Sequence, residues 1–156
     1  MKKILFIVAF SATIFGCADK KTEQNVENLV VETTEVTADP NDILAKEWQL
    51  KELNGNHIVL DSTFNKYPFI KFNDLKTATG NLGCNGFGAK VAFTGSNSIQ
   101  ISEITSTEMA CGNLDIETKF NEALQNTTNY IVSENTLYLN NNQNTTIATL
   151  EVKANQ

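Results

Sequence analysis

The chain has 156 residues, 41% of them hydrophobic, with 18 acidic residues against 12 basic ones and a formal net charge of −6. Every basic residue is a lysine, and a chain with neither arginine forks nor a cationic surplus is a poor match for the phosphate backbone of a nucleic acid. The length suits one domain with its own core, preceded by a stretch of different composition.

That stretch opens with Met1-Lys-Lys, continues as an apolar run from Ile4 to Phe15 and closes on Gly16-Cys17. Positive residues, a short apolar segment and a small residue at the cleavage point are the order of a secretory signal. A helix that spans a bilayer needs about 20 apolar residues, so residues 1–16 read as a removed signal peptide. Ile14-Phe-Gly-Cys17 resembles a bacterial lipobox, although Phe15 stands where a small residue is more usual. The resemblance implies that Cys17 is acylated, becomes the first mature residue and holds the protein on a membrane without spanning it. Ala18 follows the cysteine, which by analogy with enteric lipoproteins favours the outer membrane of the cell envelope. Removing residues 1–16 takes two lysines away and moves the net charge from −6 to −8. With Cys17 lipidated, Cys84 and Cys111 remain as an even pair in an oxidising compartment, and a disulfide between them is expected. Closing that loop would stabilise the fold by roughly 3–4 kcal/mol in the chain-entropy model.

Residues 17–40 read as a lipidated, flexible acidic tether. Between Ala18 and Pro40 there are six acidic residues, two lysines and no aromatic. Such a segment cannot bury enough apolar surface to offset its ordering entropy, and its reach is roughly 25–30 Å. A competing reading takes Leu29–Val36, with its β-branched residues, as an extra edge strand.

Residues 41–156 form the domain. Trp48-Gln-Leu-Lys-Glu-Leu53 alternates with period two, Asn54-Gly-Asn56 reads as a hairpin turn, and residues 57–60 as the return strand. Residues 68–72 start another strand, Asn73-Asp74 turns it, and 77–82 continues. Residues 89–94 and 98–104 pair around Gly95-Ser-Asn97. One segment is helical: Asn113 caps it, Asp115 and Glu117 suit its first turn, and Ile116, Phe120 and Leu124 line one stripe. Strands follow at 129–133, 136–139 and 147–152. Many short strands and one helix predict an α+β domain, a small curled antiparallel sheet or partial barrel packed with one α-helix.

The densest signal lies at Gly80-Asn-Leu-Gly-Cys-Asn-Gly-Phe-Gly88, where four glycines surround Cys84, and at Ser106-Thr-Glu-Met-Ala-Cys111. Glycine at that density marks backbone that a Cβ would obstruct. Gly83-Cys84-Asn85 with Phe87, together with Thr107, Met109, Ala110 and Cys111, resembles the two signature motifs of the META domain, or HslJ-like, family of bacterial envelope proteins. The likeness runs from Ala45 to about Val152, and departs at Ala89, where the family often has glycine, and at Val91, where it often has an aromatic. It implies a paired Cys84 and Cys111, an Asn85 that shapes a turn or ties to backbone, and a Met109 packed in the core. It also implies a secreted or lipid-anchored protein associated with heat shock, antibiotic tolerance or virulence, and brings no reaction with it.

The remaining residues argue against catalysis. His57 is the single histidine, and nothing in the sequence sets it beside a cysteine as a nucleophile's base or a zinc ligand. The glycines lack the Gly-Lys-Ser/Thr ending of a phosphate-binding loop. Glu103, Glu108, Asp115 and Glu117 read as solvated strand and helix-start residues rather than an acid/base pair. Asn126-Thr-Thr128 and Asn144-Thr-Thr146 match a three-residue glycosylation pattern that carries no weight in a bacterial lipoprotein. Phe64, Tyr67, Phe69, Phe72, Phe87 and Phe93 read as core, with an exposed subset as the alternative lining of a groove. The expectation is therefore a non-enzymatic envelope lipoprotein without metal or cofactor, its partners a membrane and a protein or small hydrophobic ligand. The alternatives are an accessory module of an envelope complex and a carboxylate-based enzyme.

Overall fold

Alternating apolar residues build the sheet. A computed structural model of the chain describes residues 38–154, apart from residues 61, 63, 65 and 113. The signal peptide, Cys17, the tether up to residue 37, the Leu29–Val36 alternative and the Asn113 cap lie outside the described residues. The strands are β1 (Glu47–Leu53), β2 (Asn56–His57), β3 (Phe69–Phe72), β4 (Thr77–Asn81), β5 (Gly86–Phe93), β6 (Ile99–Ser106), β7 (Asn129–Ser133), β8 (Thr136–Asn140) and β9 (Thr146–Val152), with one helix, α1 (Leu114–Asn126), between β6 and β7. They form a single antiparallel sheet in the order β6-β5-β4-β3-β1-β9-β8-β7, with β2 paired to β1.

The sheet curls until its two edges meet at one end. Tyr130 donates its N–H to Asn97 at 2.9 Å and Ile99 donates to Thr128 at 3.1 Å, so β6 and β7 are bridged there. Trp48, Leu50, Ile70, Phe72, Val91, Ile101, Leu137, Leu139 and Leu150 point into the curl, and Phe120, Ala123 and Leu124 of α1 fill it. Curvature comes from bulges, where an extra residue sharpens the twist. Leu50 faces Leu150 but Glu52 faces Thr149, leaving Lys51 as the extra residue. Parity then switches, so that Leu53 rather than Glu52 is buried. On β6 the positive φ of 48° at Glu103 marks the same device, which brings Ile104 against the core three residues after Ile101.

Three boundaries differ from the expectation by three residues. β2 is only Asn56–His57 rather than 57–60, because after the turn it pairs just with Glu52 and Leu53. β5 starts at Gly86, so the glycine cluster runs straight into a strand. The last residues of the expected tether, Ala38 to Pro40, are part of the folded unit. Ala38 is buried and donates its N–H to Asn97, while Asp39 caps a 3-10 turn at Pro40–Ile43. The carbonyl of Ile43 receives the indole N–H of Trp48 at 2.9 Å. The buried Tyr130 hydroxyl donates to the Ala38 carbonyl, and burial, with the charges of Asp39 and Asp42 added, raises its pKa to about 12.

Candidate functional site

Asn81 begins the turn between β4 and β5 by folding back on the chain ahead of it. Its Oδ1 accepts from the Gly83 N–H at 2.8 Å and its Nδ2 donates to the Cys84 carbonyl at 3.3 Å. Gly83 has a φ of 119°, a conformation L side chains resist, and the ring of Phe64 stands 3.2 Å from where a Cβ would lie. Gly80 is constrained by space instead: a Cβ there would overlap the carbonyl oxygen of Phe69 and the buried ring of Phe87. The two glycines thus serve two different needs, a backbone shape and a close approach.

This turn delivers Asn85 to the centre of a polar joint. Its Oδ1 accepts from the Met109 N–H at 2.7 Å and from the Thr107 hydroxyl at 2.8 Å. Its Nδ2 donates to the Met109 carbonyl at 3.2 Å and to Oε1 of Glu117 at 2.9 Å. An asparagine side chain offers two donors and two acceptor positions, and here all four are used. The Asn85 N–H donates to Oε2 of Glu117 at 3.0 Å, and its carbonyl accepts from Leu82 at 2.8 Å. A residue only 3% exposed therefore has no polar group left unmet. The disulfide between Cys84 and Cys111, with Cα atoms 6.1 Å apart, fastens the same two segments covalently. Three pieces of chain, the β4–β5 turn, the 107–111 segment and the first turns of α1, are locked to one another.

Of the motif residues, Gly83, Cys84, Asn85, Phe87, Thr107, Met109 and Cys111 come together here, while Ala110 is exposed beside them. Met109 departs from the expectation of a core side chain: the residue is 53% exposed, and its backbone N–H and carbonyl are what Asn85 reads. Glu117 is the residue that sequence reasoning missed. It was expected as a solvated helix-start carboxylate, and its only sequence signal is its place in the first turn of α1, where a negative charge also suits the helix dipole.

The two cysteines of the joint are oxidised and so are not nucleophiles, and the Asn85 amide uses all four of its hydrogen-bonding positions. His57 sits on β2 beside Glu52, with 3.2 Å between Nε2 and Oε1. Glu103 pairs with Lys90 and Asp115 with Lys119, both on the surface. Among the described residues no group of three or more His, Cys, Asp or Glu side chains could hold a metal ion. The aromatic set divides: Phe72 and Phe87 are core, Phe93 meets Tyr130 edge-on at 5.8 Å, and Tyr67 and Phe69 lie half-buried under the ammonium groups of Lys51 and Lys66. A concavity of about 600 Å³ lies at one end of the β3-β1-β9 strip, lined by Lys46, Glu47, Lys71 and Lys153 among others. A flatter depression of about 470 Å³ runs over Gly80, Gly86, Gly88 and Thr105–Thr107.

Known proteins give the fold a context. The model of the META domain family matches residues 41–154. One solved NMR structure is 19% identical, covering 74% of this chain and 94% of its own, with a TM-score of 0.56. A second, of a protein from Burkholderia xenovorans, is 18% identical and covers 74% of this chain and 86% of its own, with a TM-score of 0.58. At such identities the likeness is one of fold. No curated protein matches the sequence closely enough to serve as a relative.

Proposed function

We infer the role of this chain from one premise: it belongs to the META domain family. The reading is a non-catalytic envelope lipoprotein, held on a membrane through acylated Cys17, whose domain acts in stress or antibiotic tolerance by binding a protein or a small hydrophobic molecule. The observation that carries it is the Cys84–Cys111 disulfide with Asn85 at its side. A structural disulfide belongs to an oxidising compartment, which agrees with the signal and lipobox at residues 1–17. Cys84, Asn85, Thr107 and Cys111, with the peptide groups of Met109, are occupied in joining segments, which supports a scaffold that presents a surface over one that performs a reaction.

The test is the intact mass of the protein from its native membrane, alkylated with and without prior reduction. The reading expects acyl mass on a chain beginning at Cys17 and two alkylations that appear only after reduction. After a high-salt wash, the Cys17→Ser protein should be found in the soluble fraction rather than the membrane one. A chain that keeps residues 1–16 and stays membrane-bound after that substitution would overturn the lipid anchor.

A further inference from the structure

The outward face of β3, β1 and β9 carries a charge opposite to that of the protein as a whole. Glu47 and Lys71 are cross-strand neighbours, as are Gln49 and Glu151, and Lys153 follows β9. Lys51 points to the same side, paired with Glu151 and lying over Tyr67, and Lys66 lies over Phe69. Lys46, at the rim, extends over Trp48. Five of the eight lysines after Pro40 are here, against three of the twelve acidic residues, Glu47, Glu52 and Glu151. The face is thus positive on a chain of net charge −6.

Its end is concave and gathers three of these lysines. Lys46, Lys71 and Lys153 converge on the 600 Å³ hollow together with Glu47, which forms an ion pair with Lys153 at 3.2 Å and accepts from the Gln49 amide at 3.5 Å. Neither Lys46 nor Lys71 has a carboxylate partner among the described residues. A lysine ammonium is a flexible point charge with three donors, suited to phosphate oxygens without the planar register an arginine would impose. The chain passes this place soon after it enters the fold: Ala45, seven positions after the buried Ala38, donates to Phe72 at 2.9 Å and lines the hollow.

We propose that this lysine-lined hollow docks the domain onto the phosphate-bearing headgroups of the bilayer to which its tether is anchored. The proposal rests on the lipoprotein reading, which supplies the surface, but the contact it describes is separate from the acyl chains. Twenty residues separate Cys17 from Ala38, so in the lipoprotein reading the anchor and the folded unit are close neighbours along the chain. Carboxylates elsewhere on the surface do not prevent it, because exposed charges more than about 8–10 Å away are screened at physiological salt. Docking adds a reversible, salt-sensitive contact and fixes which side of the domain looks outward.

The experiment uses the mature chain from residue 17 with Cys17→Ser, so that no acyl chain contributes, and measures cosedimentation with vesicles. Vesicles of phosphatidylglycerol and phosphatidylcholine should carry the protein down at low salt and release it at high salt; vesicles of phosphatidylcholine alone should not bind. Lysines near an anionic surface contribute about fivefold each, so K46Q/K71Q/K153Q should lower partitioning about 100-fold and K71Q alone about fivefold. K76Q/K90Q/K119Q, with the same change in net charge, should stay close to the parent. No binding by the parent, or an equal loss in both triple variants, overturns the proposal. So does full competition by inorganic phosphate, which would mark a site for a free anion. The mass at Cys17 decides lipidation separately, so the two readings fail independently.

Discussion

Two turns of this molecule are rich in asparagine and glycine, and they are built for opposite reasons. Asn54-Gly55 joins β1 to β2 with φ values of 50° and 75°, the two positive angles that a two-residue hairpin of the favoured hand needs. Nothing lies within 4 Å of the place where a Gly55 Cβ would stand. Its sequence describes its own backbone and little else. The turn around Cys84-Asn85 is buried, and its side chains bind residues 22 to 32 positions away. The same residue types there describe a meeting of distant segments. Local composition marks both turns, but only the second should matter to the cooperativity of the whole domain.

The contrast is sharpest for the disulfide. Cys84→Ser or Cys111→Ser should lower stability by roughly 2–5 kcal/mol, read from denaturant unfolding, because the bond closes a long loop. An unchanged midpoint would remove the covalent half of the joint. Next comes the polar half. Asn85→Ala strips partners from Met109, Thr107 and Glu117 at once, and should cost about 2–4 kcal/mol. Glu117→Gln keeps one of the two acceptor oxygens, so one Asn85 donor is left facing an NH2 group and the charge is lost; about 1–3 kcal/mol is expected. Because Asn85 and Glu117 touch, their alanine variants should combine to less than the sum of the two. Strict additivity in that cycle would mean that the residues do not act as one joint.

The strands and helix were legible because each buries one face, and period two or a stripe at i, i+4 and i+8 is what that burial demands. The paired cysteines followed from counting, and the α+β curl from many short strands beside one helix. The bulges were missed although a trace of each was in the sequence: Leu50 to Leu53 and Ile101 to Ile104 are apolar pairs three apart inside strands. A spacing of three has no place in an unbroken strand, and an extra residue between explains it. Glu117 was not legible, because an acidic residue at a helix start is favourable already and gives no sign of a partner 32 positions back. Met109 misled through its side chain. An apolar residue in a motif reads as core, whereas here the motif's geometry is met by the peptide groups of Met109 and its side chain faces solvent.

The smallest effect belongs to the first turn, and it is the one that tests the comparison most directly. Gly55→Ala adds a methyl group into open space, so no packing is disturbed and only the left-handed backbone resists. That resistance is about 1 kcal/mol for an L residue. It should be the same whether or not the disulfide is reduced, since the hairpin exchanges no side-chain contact with the joint. Unfolding of Gly55→Ala in the oxidised and reduced states should therefore show two equal decrements, while Asn85→Ala should show unequal ones. The disulfide and the asparagine hold the same pair of segments, and removing the first changes what the second can still hold. If Gly55→Ala also changed its cost on reduction, the hairpin would belong to the same cooperative unit as the joint.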